Sequence, residues 1–248
     1  MAITFRLATT DDLSAINRIH YDALEQWHDF YGAFFALHPR ELLPRLNARA
    51  MRIPSQIFLV AVEQDEVVGF VRYQMVDATG APEGEGPAQG GDEVVEPIAA
   101  LAKPKEHLKE LWERFSERDA AMDECYGKAA GGRRHAYVKH LMVHPSQQRK
   151  GIGGGLLGEV VSRADAAGLP TVIVSSAEGH GLYARLGFQD LDTFRIDNGY
   201  WAREVARTER ELGVDEGNGD LGDKYGGLEE VEKYMMRWPK CTPAGETS

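Results

Sequence analysis

Between positions 138 and 155 the chain reads V-K-H-L-M-V-H-P-S-Q-Q-R-K-G-I-G-G-G, in which an apolar run gives way to a basic, glycine-rich turn. A helix that begins there leaves its first main-chain N–H groups without partners, and glycine lets an anion approach them. Arg149 and Lys150 add positive charge at the same helix end, so the segment reads as a cradle for a diphosphate. Spacing separates three phosphate loops. A Walker A loop needs Gly, four residues and then Gly-Lys-Ser/Thr, which this sequence lacks. Gly153-x-Gly155-x-x-Gly158 has the dinucleotide-binding spacing, with Glu178 about 20 residues further on. That fingerprint puts its first glycine at the end of a strand, whereas Pro145 and a polar segment from His144 to Lys150 intervene here. The third pattern, Gln/Arg-x-x-Gly-x-Gly/Ala, is filled by Gln148, Gly151 and Gly153.

The flanking elements must hold this turn. Leu141, Met142 and Val143 read as a buried strand that Pro145 stops. A helix starting near Gly153 gathers Ile152, Leu156, Leu157, Val160, Val161 and Ala164 on one face, and Gly168 and Pro170 close it. Residues 170–175 then read as a short buried strand and 179–188 as a short helix ending in glycine. Upstream, residues 3–8 predict a strand, and Thr9 or Thr10 caps a helix whose apolar face is Leu13, Ile16, Ile19 and Leu24. Residues 57–62 and 67–73 predict a hairpin across a Gln-Asp-Glu turn.

The Gln148, Gly151, Gly153 pattern resembles the acetyl-CoA-binding motif of the GNAT superfamily, the acyl-CoA-dependent N-acyltransferases. A second motif of that family, Asn-x-x-Ala-x-x-x-Tyr-x-x-x-Gly-Phe, is matched by Tyr183, Gly187 and Phe188, with Ser176 in place of Asn and Gly179 in place of Ala. The resemblance covers residues 3–193 with two interruptions. It implies an α/β (α+β) fold: a mixed, mostly antiparallel central sheet splayed at strands 4 and 5 and flanked by helices. It further implies direct transfer of the acetyl group of acetyl-CoA to an amine in a ternary complex, without an acyl-enzyme. Main-chain groups of Leu141, Met142 and Val143 would bind the pantetheine arm, the N–H of Leu141 meeting the developing oxyanion. Gln148, Arg149, Lys150, Gly151, Ile152, Gly153 and Gly154 would hold the pyrophosphate, and Ser176 would lie beside the pantetheine. Tyr183 would protonate or hydrogen-bond the departing thiolate.

Relatives with a side-chain base carry Glu or His on the fourth strand, four residues before the position of Leu141; here that place holds Tyr137. Tyrosine and lysine titrate near pH 10 and are poor proton acceptors at neutral pH. Strict alternation places His135, Tyr137 and Lys139 on one face and Val138, His140 and Met142 on the other. Tyr137 is therefore expected to position a water or the amine, with His135 as a relay for the proton. The acceptor is expected to be a small-molecule amine held by the aromatic segment 27–35, W-H-D-F-Y-G-A-F-F, which reads equally as core. The later insert and C-terminal hairpin resemble those of fungal small-molecule members of the family. A protein or peptide N-acetyltransferase and a non-catalytic acyl-CoA-binding protein are the alternatives.

Composition bounds the rest. With 43% hydrophobic residues in 248, one domain over residues 1–248 is expected. Residues 77–96 carry six acids, five glycines and no Lys or Arg, predicting a solvated loop; with a helical stretch at 98–126 they form an insert over 77–130. Its candidate anchors are Leu101, Leu108, Leu111, Trp112 and Phe115. Residues 198–238 form an extended C-terminal hairpin with a helix around 201–212. A formal net charge of −11 argues against nucleic acid or an anionic membrane as partner. Residues 128–150 nevertheless hold six Lys or Arg and no acid, a basic patch or a solvated face. Cys125 and Cys241 lie far apart, no metal spacing links the histidines, and no signal peptide or membrane-length run is evident. A cytoplasmic, metal-free enzyme is expected, monomer or homodimer.

Overall fold

The computed structural model describes residues 2–83 and 97–240. Its β-branched and aromatic runs form seven strands: β1 (Thr4–Leu7), β2 (Ile57–Glu63), β3 (Glu66–Val76), β4 (His135–Val143), β5 (Thr171–Ser175), β6 (Gln189–Asp197) and β7 (Glu229–Arg237). They make one sheet in the order β1-β2-β3-β4-β5-β7-β6. Only β4 and β5 run parallel, and they pair over just three residues each, Ala136–Val138 against Thr171–Ile173. Beyond that point they part, which is the splay expected from the sequence. Gln64 and Asp65, both with positive φ, turn β2 into β3 as a two-residue hairpin loop.

Helices cover both faces: α1 (Leu13–Ala23), α2 (His28–Phe34), α3 (Pro39–Met51), α4 (Ile98–Leu101), α5 (Lys109–Ser116), α6 (Arg118–Ala130), α7 (Ile152–Ala166), α8 (Ala177–Arg185), α9 (Asn198–Leu212) and α10 (Leu221–Lys224). On one face α7 seats Ile152, Leu156, Leu157 and Val160 against Leu59, Val71, Tyr73, Val138 and Ile173. On the other, Ile16 and Ile19 of α1 meet Phe58, Val60 and Phe70. Thr9 precedes the first helical turn and donates its N–H to Asp12 at 2.8 Å, while Arg6 grips the same carboxylate at 2.7 and 2.8 Å.

The two interruptions join each other. Leu108, Leu111 and Phe115 of the insert pack with Ala202 and Val205 of α9, Leu221 and Tyr225, and Phe30, Ala33 and Phe34 of α2. The aromatic segment 27–35 is thus chiefly the heart of a second core rather than the wall of a pocket. Residues 98–126 do not form one helix: α4, α5 and α6 follow in succession, because Pro104 and a tight junction at Glu117 divide them. Most of the predicted acidic loop, residues 84–96, and Cys241 lie outside the described residues. The last strand inserts between β5 and β6, where Arg237, 4% exposed, holds Asp165 of α7 at 2.7 and 2.8 Å.

Candidate functional site

The gap between β4 and β5 is lined by main chain. Along a strand, successive residues turn their N–H and C=O to opposite sides. The N–H of His144 donates to Val68 of β3 at 3.0 Å, so Met142 also faces β3, while Leu141 and Val143 present theirs to the gap. Gln148 confirms the parity by donating its amide to the Val143 carbonyl at 3.2 Å. The expectation for Met142 is therefore corrected: its peptide is committed to β3 and its side chain packs with the α1 core.

Beyond Val143 a short turn at Pro145–Gln147 leads through Arg149 (φ 63°) and Gly151 (φ 85°) into α7. Glycine is favoured at 151 by that left-handed backbone. Gly151 caps the helix without any side-chain bond, and no acid stands in the first turn. The first helical bond closes only at the N–H of Gly155, 3.0 Å from the Gly151 carbonyl. The N–H groups of Ile152, Gly153 and Gly154 precede it and have no helical acceptor, the arrangement an anion requires. Gly155 serves packing instead, since a Cβ there would lie 2.2 Å from the Phe5 ring. The basic run does not form one patch. Lys128 pairs with Glu124 at 2.8 Å, Arg134 with Glu83, Arg133 stacks on Trp238 and Lys139 lies over the Tyr137 ring, leaving Arg149 and Lys150 at the cradle.

Tyr183 of α8 is buried at 7% exposure against Phe188, and burial pushes its hydroxyl up to about 12, so it stays protonated at neutral pH. A Cβ on Gly179 would lie 2.8 Å from the Tyr183 ring, which accounts for glycine where the family pattern has alanine. Ser176 is exposed where β5 ends and α8 begins.

The opposite face of the sheet departs from simple alternation. Tyr73 pairs with Val138 but Arg72 with His140, so Lys139 is an extra residue, a β-bulge. Val138 consequently joins the α7 face, whereas His140 and Met142 share the other face with Tyr137. His135 is 1% exposed; Tyr126 donates to its Nε2 at 2.6 Å, and its Nδ1 donates to the Arg133 carbonyl at 2.6 Å. Both nitrogens are taken, and about 20 Å of strand separates this ring from Leu141. The relay expected of His135 does not stand; it fastens α6 to β4.

Two residues on the Tyr137 face, Arg72 and Glu232, escaped sequence reasoning, and a third, His140, falls on the opposite face by strict alternation. Arg72 lies across from His140, and desolvation holds its guanidinium down to about 10. His140 has its Nδ1 sealed without a partner, and desolvation, then Arg72, keep the ring neutral. Glu232 on β7 accepts from Tyr234 at 3.1 Å, and burial, then Glu230, raises its carboxyl above the usual value. Tyr137 stands between these charges: burial first, then Glu232, raises its hydroxyl to about 12, and Arg72 acts the opposite way. The alternation Glu230-x-Glu232-x-Tyr234 signals one strand face, but nothing local reveals the bulge that aims β4 at it.

Residues 102–205 match the family model described as an acetyltransferase (GNAT) domain. Among solved structures, the chain is similar to the histone acetyltransferase HPA2 and related acetyltransferase from Corynebacterium glutamicum, with 16% identity, coverage of 98% of this chain and 100% of that one, and TM-score 0.53. It is similar also to Arabidopsis thaliana NAA60 in complex with a bisubstrate analogue, with 14% identity, coverage of 96% and 99%, and TM-score 0.52. NAA60 in complex with acetyl-CoA gives 14% identity, coverage of 96% and 98%, and TM-score 0.51. No curated protein sequence matches the chain. Among the described residues no helix is long and apolar enough to cross a membrane.

Proposed function

We propose that the chain is a member of the GNAT superfamily of N-acyltransferases and transfers the acetyl group of acetyl-CoA directly to the amine of a small molecule, a reading supported by the match of residues 102–205 to the GNAT acetyltransferase domain model. One observation carries this reading: an uncapped helix start and two gap-facing peptides, Leu141 and Val143, line the same opening. The amides of Ile152, Gly153 and Gly154, with Arg149 and Lys150, hold the pyrophosphate, and Gln148 braces the loop through Val143. Val143 and Ser176 contact the pantetheine arm from the two sides of the gap. The N–H of Leu141 donates to the oxygen that gains charge as the thioester carbonyl is attacked.

An amine attacks only when neutral, so its proton must find an acceptor. Glu232 takes it; a carboxyl raised by burial is better matched to that task than an ordinary one. Tyr137, titrating at about 12, positions the amine by hydrogen bonding. On the other face the Tyr183 hydroxyl supplies a proton to the departing thiolate, keeping the leaving group from reversing the reaction.

The test is CoA release, followed with a thiol-reactive dye, for a panel of primary amines set against peptides with free N-termini or lysines. Turnover concentrated in the small amines supports the reading. Turnover confined to peptides refutes the acceptor class, and absence of turnover with acetyl-CoA bound refutes the enzyme.

A further inference from the structure

Arg72 occupies mid-strand β3, two residue pairs from Tyr137 and directly across from His140. Enclosed guanidinium groups are ordinarily matched by carboxylates, because an unpaired charge out of water is strongly disfavoured. Among the described residues no carboxylate influences Arg72; the groups that act on it are Tyr137 and Arg49, and Arg49 adds a like charge. Its Nε has no hydrogen-bond partner, and the Phe58 ring, 5.9 Å away, is its aromatic neighbour. Beside it His140 keeps Nδ1 sealed from solvent and unpartnered, while His20, 4.7 Å from His140 ring to ring, is engaged through Asn47 at 3.1 Å. The Arg72 guanidinium therefore stands on the acceptor face with no carboxylate among the described residues to receive it.

The opposite charge stands across the same face. Glu232 on β7 lies three strand spacings from β3, about 14 Å between backbones, with Tyr137 between. Resting on the acetyl-transfer reading above, we infer that the acceptor is an amino acid with its amine and carboxylate at separate ends of a short chain. The carboxylate docks on the Arg72 guanidinium. The amine then lies on the Glu232 side of Tyr137, toward the Leu141 peptide. Arginine suits this task because its planar fork meets both oxygens of a carboxylate at once. An alkylamine without the carboxylate leaves Arg72 enclosed and unpaired, which is how a polar site rejects an analogue lacking the matching group.

The experiment compares, on the full chain saturated with acetyl-CoA, straight-chain amino acids of two to six carbons, their methyl esters and the matching alkylamines. At the preferred length the acid exceeds its ester and its alkylamine by roughly 10- to 100-fold in kcat/KM, the difference residing in KM. Arg72→Gln brings the three to within about twofold by raising KM for the acid, and Arg72→Lys keeps part of the preference. The exposed Arg45→Gln keeps all of it. Acetyl-CoA-dependent thermal stabilisation shows that each variant folds; if Arg72→Gln does not, Arg72→Lys and the wild-type acid-to-ester ratio decide. Equal kcat/KM for acid and ester, or a preference that survives Arg72→Gln, overturns the inference. If nothing releases CoA, the transfer reading has failed, and calorimetry with CoA present judges the docking alone. Binding of the acid but not of the alkylamine, lost on substitution of Arg72, supports it; no binding of the acid overturns it.

Discussion

Replacing Gly153 by Asp should raise the stability of the free protein and abolish its response to acetyl-CoA. Gly153 is the second residue of α7, and a Cβ there would sit 3.4 Å from Leu182 and 3.7 Å from Val143, ordinary contact distances. An acid in the first helical turn interacts favourably with the helix dipole by about 0.3–1 kcal/mol. In a chain of this length each kcal/mol moves Tm by roughly 2–4 °C, so the unliganded variant should melt up to about 4 °C higher. Acetyl-CoA at about 100 times its Kd stabilises the wild type by roughly 2.7 kcal/mol, or about 5–10 °C. The new carboxylate stands where the pyrophosphate must sit, and that shift should fall below about 1 °C. Scanning calorimetry with acetyl-CoA, CoA and NAD measures all of this. The two effects have opposite signs, so general damage cannot imitate them. A variant that keeps half of the acetyl-CoA shift, or a wild type stabilised by NAD and not by acetyl-CoA, would refute the assignment of the cradle.

Tyr183→Phe should lower kcat by about 10²- to 10⁴-fold with acetyl-CoA affinity nearly unchanged, because only the departing thiolate needs the hydroxyl; unaltered single-turnover rates would return Tyr183 to packing alone. Glu232 titrates above the usual 4.5, so its contribution to stability is full below about pH 4.5 and is lost as pH rises through its folded value. Glu232→Gln should therefore melt higher than wild type at neutral pH and equal to it near pH 4, while losing most turnover; thermal melts across pH and CoA release check the two halves. Asp165 is held below the usual 3.8 by Arg237, first through their hydrogen bonds, so its contribution is full above that value and fades as pH falls through the lower one. Asp165→Asn should cost about 3 kcal/mol at neutral pH by denaturant unfolding, a cost that shrinks as pH falls below 3.8.

The cradle and its helix were legible because their signals are local. Gly151 needs a left-handed backbone, Ile152, Leu156, Leu157 and Val160 repeat at helical spacing, and Pro145 ends a strand. The last strand and α9 were legible for the same reason. The Tyr137 face was not, because it depends on phase and on distance. A single extra residue, Lys139, shifts the alternation of β4, so His140 and Met142 exchange faces relative to Val138. Arg72, Tyr137 and Glu232 come from strands far apart in sequence, and Glu232 becomes unusual only once β7 inserts beside β5. His135 looked reactive by type alone; its role is set by Tyr126 and Arg133, which spacing does not reveal. The aromatic segment fitted core or pocket equally until Phe115 and Tyr225 closed over Phe30.

The second core sets an order in which this molecule comes together. Strand β4, helix α7 and strand β5 are consecutive in the chain, so the cradle closes through short loops. The second core instead waits for α2, the insert and α9 with α10, pieces separated by more than 60 residues at each step. Amide exchange should thus find α7 protected at the global limit while α5 and α10 open at lower free energy. The second core is then the part of the protein that loosens while the helix that starts at Gly151 stays held.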